Sequence, residues 1–182
     1  FCCTAASRGN PAKALRFAIK IGPPDRSQTN WGDTYFAESL ARAMIRRGHA
    51  CRIDYLNEWG REDLDIDVVI HLKGLSEYHP KPYNMNILWM LNHPSRHTAE
   101  ELSRYDAVLV ASTTHADRLK DELPVPVYAF LQATDDEHFR PLPEKKCFDL
   151  VFVGNNRGVG RLKMRQIIAD LLPTTYSLAV WG

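Results

Sequence analysis

Cysteine is scarce in this chain, with four among 182 residues: Cys2 and Cys3 are adjacent, and Cys51 and Cys147 sit at the edges of apolar runs. No CxxC pair or Cys/His zinc spacing occurs. A disulfide framework and a metal module are therefore not expected, and a reducing, cytoplasmic setting fits best. Long apolar runs are also missing. The stretch Ile87–Leu91 is far short of the ~20 residues that span a bilayer, so no integral membrane segment is expected, only at most a peripheral one. Residues 1–7 lack the basic start and apolar core of a signal peptide. Charge of one sign is not in excess either: 23 Lys and Arg face 22 Asp and Glu, for a net charge of +1. Nucleic acid is thus not an expected partner, because binding to a phosphate backbone needs a basic surplus. GxxxxGK[ST] is absent, which excludes a P-loop NTPase.

What is present is an ordinary globular composition, 45% apolar and 25% charged, with a repeating pattern. Residues 1–14 read as a tail. Leu15–Ile21, Cys51–Leu56, Val68–Leu72, Asn86–Leu91, Asp106–Ala111 and Val125–Leu131 are short apolar runs suited to buried strands. Between them Phe36, Leu40, Ala43, Met44 and Arg47 fall at helical spacing, with Gly48 as a helix stop. Thr98 and Glu101 form a Thr-x-x-Glu capping box, and Thr113 or Thr114 caps a helix that Pro124 helps to end. Strands that are continuously apolar and alternate with helices predict an α/β domain with a doubly wound, Rossmann-like parallel sheet over residues 15–134. The charged, Pro-containing stretch 135–147 reads as a linker. Phe148–Val153, a Gly-rich turn, the helix Leu162–Leu172 and Tyr176–Trp181 then begin a second α/β unit over 148–182. One βαβ unit is too small to cover its own sheet, so an apolar edge prone to dimerise is expected there.

Ligands of open α/β sheets bind outside the carboxyl ends of the strands. The first such loop, 22–33, lacks a compact G-x-G-x-x-G and instead brings Asn30, Trp31, Gly32 and Asp33 to a helix start. An indole beside amides can hold a sugar ring; equally, Trp31 can be the buried anchor of a long loop. His93, followed by Pro94, stands just past a strand end as either an acid/base group or a structural histidine. His93 and His97 are four apart, but Pro94 denies them the continuous helix that a metal pair needs. In Gly154-Asn155-Asn156-Arg157-Gly158-Val159-Gly160-Arg161, glycines lie between a strand and a helix, with Lys163 close behind. Either this is a solvated basic face, or it is an anion site for a diphosphate. The residues after 150 carry Arg157, Arg161, Lys163 and Arg165 against Asp170, which favours the anion site.

Asn30-Trp31-Gly32-Asp33, Ile87-Leu88-Trp89-Met90-Leu91-Asn92-His93-Pro94, Gln132 to Pro141, and Phe152-Val153-Gly154-Asn155-Asn156-Arg157-Gly158 together resemble the GT-B glycosyltransferases of the group 1, retaining, family-4-like type. The likeness is to a bacterial branch and covers residues 15–182. In the linker, Ala-Thr-Asp stands where Gly-Val-Asp is usual. The resemblance implies an acceptor-binding first domain and a second domain that binds a nucleotide-sugar donor. Carried onto this sequence, it makes His93 the catalytic residue. Gly32, Gly154, Asn155, Arg157, Arg161 and Lys163 would lie at the donor diphosphate, and Asn30, Trp31, Asp33 and Tyr78 at a glycan or lipid- or protein-linked acceptor. Arg and Lys would offset the charge of the leaving diphosphate, so no metal and no cofactor is implied, in keeping with the absence of a DxD-type metal pair at a strand end.

The family's E-x7-E element, which holds ribose and donor sugar, does not occur before Gly182. The resemblance, with the missing initiator Met, leads to the expectation of a glycosyltransferase fragment, inactive alone. The alternative is a non-catalytic α/β module that binds a sugar or nucleotide. A flavodoxin-like regulatory domain is disfavoured, because the first loop is long and no acidic cluster follows the first strand.

Overall fold

The computed structural model describes residues 13–28, 30–154 and 173–181. The chain divides into two compact units, the first ending at Asp135 and the second beginning at Asp136. In the first, β1 (Arg16–Lys20), β2 (Ala50–Asp54), β3 (Val68–Lys73), β4 (Met85–Met90), β5 (Ala107–Val110) and β6 (Val127–Ala129) form one parallel sheet in the order β2-β1-β3-β4-β5-β6. The helices α1 (Gly32–Arg46), α2 (Ala99–Leu102) and α3 (Thr113–Glu122) flank it. This is the α/β, Rossmann-like architecture expected from the alternation of apolar runs and helical spacing.

Strand residues alternate between two cores because successive side chains point to opposite faces. Phe17, Ile19, Ile21, Val68, Ile70, Leu72 and Trp89 pack with Ala37 and Ala41 of α1. Ala18, Val69, Leu88, Met90, Val108 and Val110 pack with Leu102, Ala116 and Leu119 of the other two helices. The small Ala37 and Ala41 let α1 approach the sheet closely. Its end is set by Gly48, whose φ of 87° places it in the left-handed region and whose N–H reaches the Ile45 carbonyl at 2.9 Å.

Two helix starts differ from expectation. Thr98 does accept from the Glu101 N–H at 3.1 Å, but Glu101 turns its carboxylate to Lys73 Nζ, 2.8 Å away, so the reciprocal half of the capping box is missing. A buried cation outcompetes a backbone amide for that carboxylate. For α3 the cap is Ser112, one residue before Thr113: its backbone is extended and its hydroxyl accepts from the His115 N–H at 3.3 Å. At the end of the first unit, Asp135 is tied to α1 by Ser39 Oγ at 2.6 Å and Arg42 at 2.8 Å.

In the second unit β7 (Leu150–Val153) and β8 (Leu178–Trp181) pair in parallel. Asp149 accepts from both the N–H and the hydroxyl of Ser177, which sets the register at their start. The helix expected over Leu162–Leu172 lies outside the described residues.

Candidate functional site

The strand order turns back at β1: β2 lies on one side of it and β3 to β6 on the other. Loops leaving β1 and β3 therefore part in opposite directions, opening a crevice beyond the carboxyl ends of these strands. Two expected site segments reach this end of the sheet, 30–33 at the start of α1 and His93 after β4, and Gly74 after β3 lies at the same end.

Asp33 occupies the first turn of α1, where the positive end of the helix dipole favours a carboxylate. Its Oδ2 lies 3.6 Å from where a Cβ on Gly74 would be, so the β3 loop passes directly beside the carboxylate. Burial pushes the Asp33 carboxyl above the usual carboxylate range, and the charge of nearby His93 partly offsets that rise. Among the described residues no hydrogen-bond donor is directed at Asp33. A half-buried carboxylate beside an imidazole can accept a hydrogen bond from a ligand hydroxyl.

His93 is exposed, with φ of 52°. A left-handed conformation costs a residue with a Cβ about 1–2 kcal/mol, and the following Pro94 disfavours helical backbone further. This strain is held at the mouth of the crevice. At the start of α1 Asn30 and Trp31 are exposed, Trp31 at 38% accessibility, so this residue is not fully buried. Gly32 has open space where a Cβ would be.

Tyr78 is a correction. It is 2% exposed and its ring packs edge-on against Trp59, with centroids 5.7 Å apart, so it offers no face to an acceptor. In place of the expected contact with an acceptor, Tyr78 packs into one core. Gly154 closes β7, where its N–H donates to the Trp181 carbonyl and an added Cβ would meet the Phe152 ring at 3.0 Å. Asn155, Arg157, Arg161 and Lys163 lie outside the described residues.

No protein-family model matches this chain, and no curated protein matches it.

The geometry also contains a polar cluster that reading by apolar runs passed over. Lys20, at the carboxyl end of β1, is fully buried with Nζ 2.8 Å from Asp54 Oδ2 and 2.9 Å from Asp63 Oδ2. Arg52 bonds Asp54 at 2.8 Å and also reaches Asp63, while Arg61 approaches Asp54 at 3.6 Å. In register on β3 is His71, whose Nδ1 meets Tyr105 Oη at 2.7 Å. Its pKa is lowered to about 3 by burial and by Lys73. This ring is neutral at any physiological pH and packs in the core against Trp59, Tyr78 and Tyr105. The sequence signal was there: Lys20, Asp54 and His71 each place a polar side chain near the carboxyl end of a strand. Two buried carboxylates with Lys20 and Arg52 hold the ends of β1 and β2 in fixed positions, and so set where the first loop leaves the sheet.

Proposed function

We propose that this chain acts in glycosyl transfer from a nucleotide-sugar donor, with the crevice of the first unit as the acceptor side. The observation that carries this reading is the convergence of a half-buried Asp33, an exposed Trp31 and a strained His93 at the strand-order reversal. The indole offers a face for the C–H side of a sugar ring, Asp33 accepts from a sugar hydroxyl, and His93 hydrogen-bonds at the reacting oxygen. In the reaction the bond between the anomeric carbon and the diphosphate breaks, a bond from that carbon to the acceptor oxygen forms, and the acceptor proton is released. The family resemblance supports the assignment of donor diphosphate to the basic residues after Gly154, whose cations would offset the leaving charge. The same resemblance assigns no metal and no cofactor.

Calorimetric titration of UDP- and GDP-sugars into the protein tests this reading. At least one is expected to bind saturably, and Arg157→Ala to weaken it about tenfold or more, as loss of a charge-assisted bond requires. Absence of binding across the panel would remove the transferase reading.

A further inference from the structure

Next to the crevice, beneath the loop that follows β4, lies a cavity of about 550 Å³ at the carboxyl ends of β4 and β5. That is the size range of small-ligand pockets. Its floor is apolar, including Met90, Val110 and Ala111, while Ser95, Ser112, Thr114, His115 and Arg118 supply its polar lining. Apart from Arg118, none of these lining side chains is charged by default, and no carboxylate lines the cavity. Ser112 uses a lone pair as the α3 cap, which leaves its O–H free to donate. Arg118, one helical turn beyond Thr114, is 63% exposed and spends only Nε on Glu122, at 3.5 Å. Behind the lining, the ring of His115 meets that of His97 with centroids 5.6 Å apart. His115 Nε2 and His97 Nδ1 are both shielded from solvent and have no hydrogen-bond partner. A shielded pair of imidazoles with an unused nitrogen each is a place where a proton can be taken up.

We infer that this cavity binds the phosphate group of a small ligand, gripped by Arg118 and the hydroxyls of Ser95, Ser112 and Thr114 and backed by the His97–His115 pair. Every one of these groups can donate a hydrogen bond, and an oxyanion accepts only. Within the proposed function this makes the acceptor a phosphorylated one; that identity rests on the transferase reading, and the phosphate site itself does not.

The charges facing the pair set a pH dependence. Burial lowers the pKa of His97, as do His115, Lys73 and Arg118, while Glu101 opposes them. Burial and Arg118 lower that of His115 against Glu122. Both rings are therefore neutral in the empty cavity near pH 7. A bound anion stabilises their charged forms, so binding is coupled to proton uptake and tightens as pH falls.

The test is NMR of the His97 and His115 ring signals in the whole chain, at constant ionic strength. Inorganic phosphate is expected to move both sets of signals saturably, with Arg118→Gln weakening its binding about tenfold. Sulfate, whose charge does not change across this range, is expected to bind several-fold more tightly at about pH 5.5 than at about pH 7.5. Ring signals that do not respond to phosphate in the unaltered protein would overturn the proposal, as would equal affinity in a folded Arg118→Gln protein. No nucleotide or transfer is read in this experiment, so its failure leaves the transferase reading standing, and the failure of nucleotide-sugar binding leaves the phosphate site standing.

Discussion

Replacing Lys20 by Met is expected to destabilise the six-stranded unit by about 3–5 kcal/mol, the range found when one partner of a buried ion cluster is removed. Lys20 is 0% exposed, and so are the Asp54 and Asp63 carboxylates it touches. Met fills a similar volume, so little packing is lost and the effect is electrostatic. Two buried carboxylates would then share Arg52, which is 29% exposed, and the more distant Arg61. Removing water from a carboxylate costs several kcal/mol unless a cation and hydrogen bonds replace that water. Urea unfolding of the two proteins measures the difference. A loss under about 1 kcal/mol would show that the cluster behaves as a surface pair, against its burial.

The same cluster makes stability fall in acid, with a sign that can be worked out. Burial alone would raise the Asp54 carboxyl, but the bonds from Arg52 and Lys20 overcome it and hold the group below its ordinary value of 3.8. A depressed carboxylate contributes stability above its unfolded pKa and loses it as pH falls through the folded one. His71 acts earlier: with a folded pKa of about 3 against 6.5, the unfolded chain binds the extra proton between those values. Stability therefore declines by about 1.4 kcal/mol per pH unit below 6.5 from this group alone. In the unfolding series, His71 contributes to the slope below pH 6.5 together with His97 and His115, whose folded pKa values are also lowered, and Asp54 adds to it below about 4.

The second large effect concerns His93. His93→Asn is expected to leave the fold as stable as before, because Asn tolerates the left-handed backbone that a φ of 52° demands at this position. It should nevertheless weaken saturable binding of a sugar acceptor to the crevice by about tenfold, the usual loss when one hydrogen-bonding group is removed. Unfolding curves and binding titrations of the two proteins separate the outcomes. A variant that is both stable and binds the acceptor as before would make His93 a turn residue only.

How much of this was visible in the residues differs between fold and site. The parallel sheet was legible because its strands are buried on both faces and read as continuous apolar runs, and because Gly48 marks the end of α1 by its own conformational freedom. The position of His93 after a strand was legible for the same reason. Tyr78 was misjudged because a tyrosine in a loop gives no indication whether its ring turns inward, and here Trp59 and His71 provide a slot for it. The Glu101 half of the capping box failed because its competitor, Lys73, is 28 residues away in sequence and near only after folding. The pairing of His97, in the loop after β4, with His115, in the first turn of α3, has no local signature at all. What the sequence also carried was the coincidence of Lys20, Asp54 and His71 near the carboxyl ends of three strands.

The central claim is that sugar is held where the strand order reverses, between the loops of β1, β3 and β4. Backbone amide shifts of this chain on addition of a glycan acceptor it binds test that most directly. Shifts concentrated at Trp31, Gly32, Asp33, Gly74 and His93, and diminished in Asp33→Asn, are the predicted result. Saturable binding that leaves those amides unmoved while perturbing others would contradict it.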